Sequence, residues 1–259
     1  MKYRHDVKYY SINGKLIEIG DFPVSVVRSS GLIYEVIKYS DGEYLYFDDH
    51  LQRMLASLRI ANKTEVDLMN IETYAKDLAL ANCVNIGNLK IVINNKNTFS
   101  MVYLFFIPHR YPTAAQYKVG VKVRLQFDVR ANPKAKIANW DIRDKANRLI
   151  DNNNIYETLL VNDGGDITEG SRSNVFFMKD NTFYTAPDNI VLSGITRQKL
   201  IDNLSNIGYI IKYEAVNIAD LNRYTHCFIT GTSPGVLPVS AIDDIDYNVN
   251  VDILNLISI

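Results

Sequence analysis

The chain has 259 residues, 47% of them hydrophobic, and a net charge of -1. That is enough chain for one large or two modest cores, and near-neutrality argues against nucleic acid as a main partner. The opening residues are charged rather than apolar and no apolar run is long enough to cross a bilayer, so neither a signal segment nor a membrane anchor is expected and a cytoplasmic location is. Cys83 and Cys227 stand far apart, with no CxxC and no histidine at metal-ligand spacing, so both are expected to be buried thiols, with no disulfide framework and no metal site.

The first part reads as strands followed by helices. The β-rich run from Gly31 to Tyr39, the turn Asp41-Gly42 and a returning strand from Glu43 to Phe47 predict a hairpin. Asp48 or Asp49 is placed to cap a helix with Leu51, Met54, Leu55 and Leu58 on one face, and Thr64 to cap another running to about Asn82. Strands are expected over Leu89 to Ile93 and Phe99 to Ile107, and Pro108 to Gln116, with two prolines and little periodicity, is the candidate linker. Beyond it come a strand over Lys118 to Phe127, a helix over Ile142 to Asn152 and a strand over Tyr156 to Val161. A hairpin around Asp180-Asn181, a helix over Thr196 to Ile207 closed by Gly208, and a strand over Thr225 to Thr230 complete the second part. Strands and helices do not alternate regularly there, and neither GxGxxG nor GxxxxGK[ST] occurs, so a doubly wound nucleotide-binding sheet is not expected.

The chemistry lies in an ordered set of short segments. Lys136-Ile137-Ala138-Asn139 is followed by Ile167 to Phe176, with Glu169 inside it, then by Gly194-Ile195-Thr196-Arg197 and Gly231-Thr232-Ser233-Pro234. A primary amine can form a Schiff base, a carboxylate can hold a pyridine nitrogen protonated, and Gly/Thr turns offer backbone N–H groups to a dianion. Together they describe a pyridoxal 5'-phosphate site. Each has an ordinary alternative: Lys134 and Lys145 are also nearby amines, Glu169 could be a surface acid, and Gly-Ile-Thr could be a simple helix cap.

In order and wording these segments resemble the class IV aminotransferases, or fold type IV pyridoxal phosphate enzymes, which include branched-chain and D-amino acid aminotransferases and aminodeoxychorismate lyase. The resemblance runs from Asn13-Gly14-Lys15 to about Val239. It implies a two-domain α/β fold of mixed α+β character with the cofactor between the domains: a small N-terminal domain, 1–112, and a larger one, 113–259, carrying the lysine. It also implies a homodimer that takes an amino donor and a keto-acid acceptor. Lys136 would form the Schiff base and Glu169 would pair with the pyridine nitrogen. Arg53, Ile195, Thr196 and Thr232 would bind the phosphate, Leu192 would pack on the ring and Tyr34 would face the substrate. Trp140 flanks the cofactor or fills the core.

Three departures from the family pattern bear on the substrate. Glu35 and Val36 stand where lyases place a threonine near the cofactor, Asn95 replaces the arginine that binds a substrate carboxylate, and the stretch before the Tyr34 strand is shortened to Val27-Arg28-Ser29-Ser30-Gly31. Lys96, Arg28 and Arg130 are the cations available to replace that arginine. Transamination is the leading expectation, with a lyase-type elimination and a non-catalytic cofactor-binding protein as alternatives.

Overall fold

The computed structural model describes residues 4–63, 66–95 and 100–258; Thr64, Lys96 and Phe99 lie outside the described residues. The chain divides into two compact units. The first runs to Arg110 and includes Ala135–Trp140, and the second is Tyr111–Lys134 with Asp141 onward.

The first unit begins with a hairpin of β1 (Tyr9–Ile12) and β2 (Lys15–Glu18), turned by Asn13 and Gly14, both at positive φ. A 3-10 turn (Ile19–Asp21) and the single-turn α1 (Val24–Val27) lead to β3 (Ile33–Ser40) and the short β4 (Glu43–Tyr44). Then come α2 (Phe47–Ile60), α3 (Ile71–Ala81), β5 (Ile86–Asn94) and β6 (Met101–Ile107). The six strands form one sheet in the order β2-β1-β6-β5-β3-β4.

Both faces of this sheet are covered. Ile33, Ile37 and Tyr39 on one face of β3 join Met54 and Leu58 of α2 and Ala75 and Leu78 of α3 in the larger core. Truncating Met54 or Leu58, both 0% exposed, to alanine would cost about 2–5 kcal/mol. Tyr10, Leu32, Val92, Phe105 and Ala138 form a second core, against which Tyr34 and Trp140 pack.

The second unit contains α4 (Ala114–Val119), β7 (Val121–Phe127), most of α5 (Trp140–Asn153), β8 (Glu157–Val161), β9 (Asp166–Gly170), β10 (Asn174–Lys179) and β11 (Thr182–Thr185). It continues with α6 (Ile195–Asn206), β12 (Ile210–Tyr213), β13 (Val216–Asn217), β14 (His226–Gly231), β15 (Gly235–Ile242), β16 (Ile245–Asp246) and α7 (Val251–Ile257). Its sheet runs β12-β11-β10-β14-β15-β7-β8-β9-β13, with β16 on β15. Pairing is parallel at β11–β12, β15–β7 and β7–β8 and antiparallel elsewhere. That mixture matches the irregular strand and helix order in the sequence.

Several expectations shift. The returning strand of the β3–β4 hairpin stops at Tyr44, because Tyr46 turns into the left-handed region and Phe47 already opens α2; no aspartate side chain caps that helix. The next helix starts at Ile71, not after Thr64. The linker region includes the capping box of α4, where Thr113 accepts from the backbone N–H of Gln116 and Gln116 returns the bond. Cys227 is buried, but Cys83 is exposed: it takes a positive φ just past the end of α3. The largest difference concerns Ala135–Trp140, which the domain bounds implied by the resemblance assign to the C-terminal part. These residues go with the first unit because their backbone pairs with the start of β3, Tyr34 N–H donating to Lys136 O at 3.2 Å and Ala138 N–H to Leu32 O at 2.9 Å.

Candidate active site

The sequence-predicted residues fall into two sets, one in each unit. Tyr34, Arg53 and Lys136 belong to the first; Glu169, Leu192, Ile195, Thr196 and Thr232 belong to the second.

In the first unit Lys136 is held by its backbone. Its N–H donates to Ser57 Oγ at 3.1 Å, and that hydroxyl donates to Arg53 O one helical turn back in α2. The Lys136 ammonium lies 5.1 Å from the centroid of the Tyr34 ring, within cation–π range. The residue after Tyr34 is Glu35, which strand alternation turns to the opposite face, where it is fully buried. Arg53 meets it with both arms of its fork, Nε to Oε1 at 2.8 Å and Nη2 to Oε2 at 2.7 Å, and His50 Nδ1 lies 2.8 Å from Oε2. Burial pushes the Glu35 carboxyl toward the neutral form, but Arg53, His50 and Lys136 outweigh it and hold its pKa far below the usual carboxylate range. Burial lowers the His50 pKa against the pull of Glu35, so His50 is neutral near pH 7 and donates from Nδ1.

In the second unit Glu169 lies on β9 and is almost fully buried. Arg130 Nε stands 2.7 Å from its Oε1; the N–H direction there is poor for a hydrogen bond, so the contact is chiefly electrostatic. Arg130 Nη2 also donates to Ser171 O at 2.7 Å. The other Glu169 oxygen accepts the backbone N–H of Leu192 at 3.3 Å, and Leu192 O accepts from Asn174 Nδ2 at 2.8 Å. Leu192 is thus fixed on both sides of its backbone. Two residues on, Gly194 is the N-cap of α6, whose first turn has no side-chain cap and begins with Ile195 and Thr196. Gly194 is needed there, since a Cβ would come within 2.1 Å of Asn174 Oδ1. Thr232 lies in the turn between β14 and β15.

Ser171 and Ser173 bond to a second buried carboxylate. Ser171 Oγ is 2.6 Å from Glu157 Oε1 and Ser173 Oγ is 3.2 Å from Oε2, while Arg172 N–H reaches the same Oε2 at 3.1 Å. Glu157 therefore ties the bend after β9 to β8, and Glu169 projects from that braced strand.

Sequence reasoning did not single out Glu157, Asn174, Lys90 or the Glu35–His50–Arg53 cluster. The cluster had a signal: Glu35 shares an alternation phase with Ile33 and Ile37, and a carboxylate on an apolar face requires a buried partner. His50 and Arg53 are three apart on one helix and share a face. Glu157 and Asn174 carried no comparable pattern.

The donor set fits pyridoxal phosphate. An α6 first turn without a side-chain cap, opened by a glycine that can bear no Cβ, suits a phosphate dianion. A buried carboxylate already fixed to the backbone suits a protonated ring nitrogen, and a lysine whose backbone is anchored offers an amine to an aldehyde.

Residues 32–242 match the profile of the family described as amino-transferase class IV. Among curated proteins, the chain is 27% identical over 264 residues to the D-alanine aminotransferase of Listeria innocua, covering 90% of this chain and 87% of that one. It is 24% identical over 263 residues to a probable branched-chain-amino-acid aminotransferase of Rickettsia typhi, covering 94% and 90%. Among solved structures, the fold superposes on a hypothetical aminotransferase from Mycobacterium tuberculosis in its PLP-bound form with a TM-score of 0.81 at 20% identity, covering 96% of each chain. The Escherichia coli branched-chain amino acid aminotransferase gives 0.79 at 20% identity, covering 93% of this chain and 88% of that one. The fold is that of the fold type IV enzymes, and the chain belongs to the class IV aminotransferases, enzymes that use pyridoxal phosphate.

Proposed function

We propose that Lys136 and Glu169 carry the transamination, which moves an amino group from an amino acid to a 2-keto acid. Pyridoxal phosphate, when bound, supplies an electron sink for the bond broken at the substrate Cα. Lys136 Nζ would hold the cofactor through its aldehyde, and the same amine would serve as the base for the substrate Cα proton. Ser57 fixes the Lys136 backbone for both tasks, and Tyr34 lines the approach of the substrate.

Glu169 would hold the proton on the ring nitrogen of the bound cofactor. The Leu192 N–H and Arg130 keep its carboxylate in one orientation. The backbone N–H groups of Ile195 and Thr196 and the Thr196 and Thr232 hydroxyls would hold the phosphate, the family resemblance adds Arg53 to that set, and the Leu192 side chain would pack on the ring. One observation carries this reading: the short run from Leu192 to Thr196 is tied at one end to the Glu169 carboxylate and at the other opens the first turn of α6.

The relatives are named for D-alanine and for branched-chain amino acids, so both D- and L-donors belong in the test. A cytoplasmic homodimer is part of the proposal; its support is the family resemblance and the absence of any helix, among the described residues, long and apolar enough to cross a membrane. The test is the absorption of protein-bound cofactor before and after a panel of D- and L-amino acids, with Lys136→Ala alongside. The expected result is a band that a particular donor discharges and a keto acid restores, absent in Lys136→Ala. A band that survives in Lys136→Ala, or that no donor discharges, overturns the proposal.

A further inference from the structure

Lys90 is a single charge on an apolar strand. Its β5 neighbours Leu89, Ile91, Val92 and Ile93 are all buried, and Lys90 itself is only 2% exposed. The strand lies inside the sheet, flanked by β6 and β3. The Lys90 ammonium lies over two rings, 4.5 Å from the centroid of Tyr34 and 5.3 Å from that of Trp140. Burial disfavours a charged lysine, and the negative faces of two aromatic rings give back part of that cost. Arg28 covers the same Trp140 ring at 5.0 Å.

The Tyr34 ring also carries the Lys136 ammonium, at 5.1 Å from its centroid. We propose that Lys90 is a positioning residue for Lys136: its buried ammonium, seated on the shared Tyr34 ring, opposes a second positive charge and keeps the Lys136 amine neutral and nucleophilic. This rests on the reading of Lys136 as the reacting amine. Groups that interact with Lys136 include Tyr34 and Glu35 of β3 and His50 of α2, with Arg53 beside them on α2. Glu35 acts in the opposite sense, favouring a charged lysine, but both its oxygens are engaged by Arg53 and one also by His50. His50 is neutral near pH 7. Lys90 is the cation that shares a ring with Lys136. Two charges on one ring are no more than about 10 Å apart, and at an effective dielectric of about 20 their repulsion moves a protonation midpoint down by roughly one pH unit.

The experiment is the pH titration of the cofactor absorption band in the holoenzyme, for wild type, Lys90→Met, Lys90→Gln and Lys90→Arg. The midpoint is expected to rise by roughly one pH unit in the two neutral variants and to stay with wild type in Lys90→Arg. An unchanged midpoint in a neutral variant that unfolds at the wild-type temperature overturns the proposal, because a purely structural Lys90 would leave the titration in place. A second measurement needs no variant. Trace acetylation of the full wild-type chain after cofactor removal, followed peptide by peptide against pH, compares Lys136 with the exposed Lys134. Lys136 is expected to react with a midpoint roughly one pH unit lower; coincident curves overturn the proposal. A cofactor band retained in Lys136→Ala would defeat the proposed reaction while leaving the acetylation result readable.

Discussion

Arg53 grips both carboxylate oxygens of Glu35, Nε at 2.8 Å from Oε1 and Nη2 at 2.7 Å from Oε2, joining α2 to β3 beneath the segment that carries Lys136. Glu35 is fully buried and the Arg53 side chain nearly so, which makes the pair costly to break from one side. Replacing Glu35 with glutamine strands the guanidinium, with an expected stability loss of about 3–5 kcal/mol in urea unfolding. A loss below about 1 kcal/mol would mean that the pair is no stronger than a surface bridge.

The same cluster sets a pH dependence. The folded-state pKa of Glu35 is depressed below its ordinary 4.5, so its contribution is fully present above that value and is lost as pH falls toward the folded value. His50 is also depressed, from an ordinary 6.5, so the unfolded chain takes up its proton first and stability already begins to fall as pH drops through 6.5. Unfolding free energy measured from pH 8 to pH 3 should decline in two stages, with His50→Asn removing the upper one and Glu35→Gln flattening the lower. A curve unchanged in both variants would contradict this assignment.

Gly194→Ala is expected to weaken cofactor binding by driving its new methyl group against Asn174 Oδ1, 2.1 Å from the ideal Cβ position. Asn174 holds Leu192 O, so the displacement reaches the start of α6. The overpacking should cost about 1–3 kcal/mol of stability and at least as much in cofactor affinity, measured by equilibrium titration. Adding Asn174→Ala should recover part of both losses, and strict additivity of the two substitutions would rule out the clash as the cause.

Glu169→Gln preserves the shape that accepts the Leu192 N–H but removes the charge proposed to hold the ring proton. Turnover should fall roughly 100-fold or more while the cofactor Kd changes far less. Parallel losses in both would indicate a binding role instead.

Arg197 is 0% exposed and anchors α6 to the end of β11 through Ala186 O at 2.9 Å, Thr185 Oγ1 at 3.4 Å and Asp188. Arg197→Met should cost about 2–3 kcal/mol, and Arg197→Lys should restore little, because an ammonium cannot reproduce the planar fork. Thermal unfolding of both variants checks this.

The sequence foretold the strongly periodic elements well. β3, α2, α5 and α6 lie within a few residues of their expected positions, since alternation or helical spacing is strong in each. Turn chemistry was equally plain at Asp41-Gly42 and Asp180, all at positive φ. Short strands such as β12, β13 and β16 escaped because two to four residues carry no measurable period. The membership of Ala135–Trp140 in the first unit was hidden for another reason: it depends on backbone hydrogen bonds to Leu32 and Tyr34, a hundred residues away, which no local pattern encodes. The same holds for Lys90, whose rings come from β3 and from the segment after Lys136.

An interior strand of the larger sheet, β7, bears on how the chain folds as it is made. β7 is one of the first elements of its unit to leave the ribosome, yet one of its two neighbours, β15, lies more than a hundred residues downstream. Until that stretch emerges, β7 can zip only to β8, and one of its edges stays open. Nascent chains halted before Gly235 therefore carry an unsealed sheet, the species on which holding chaperones act.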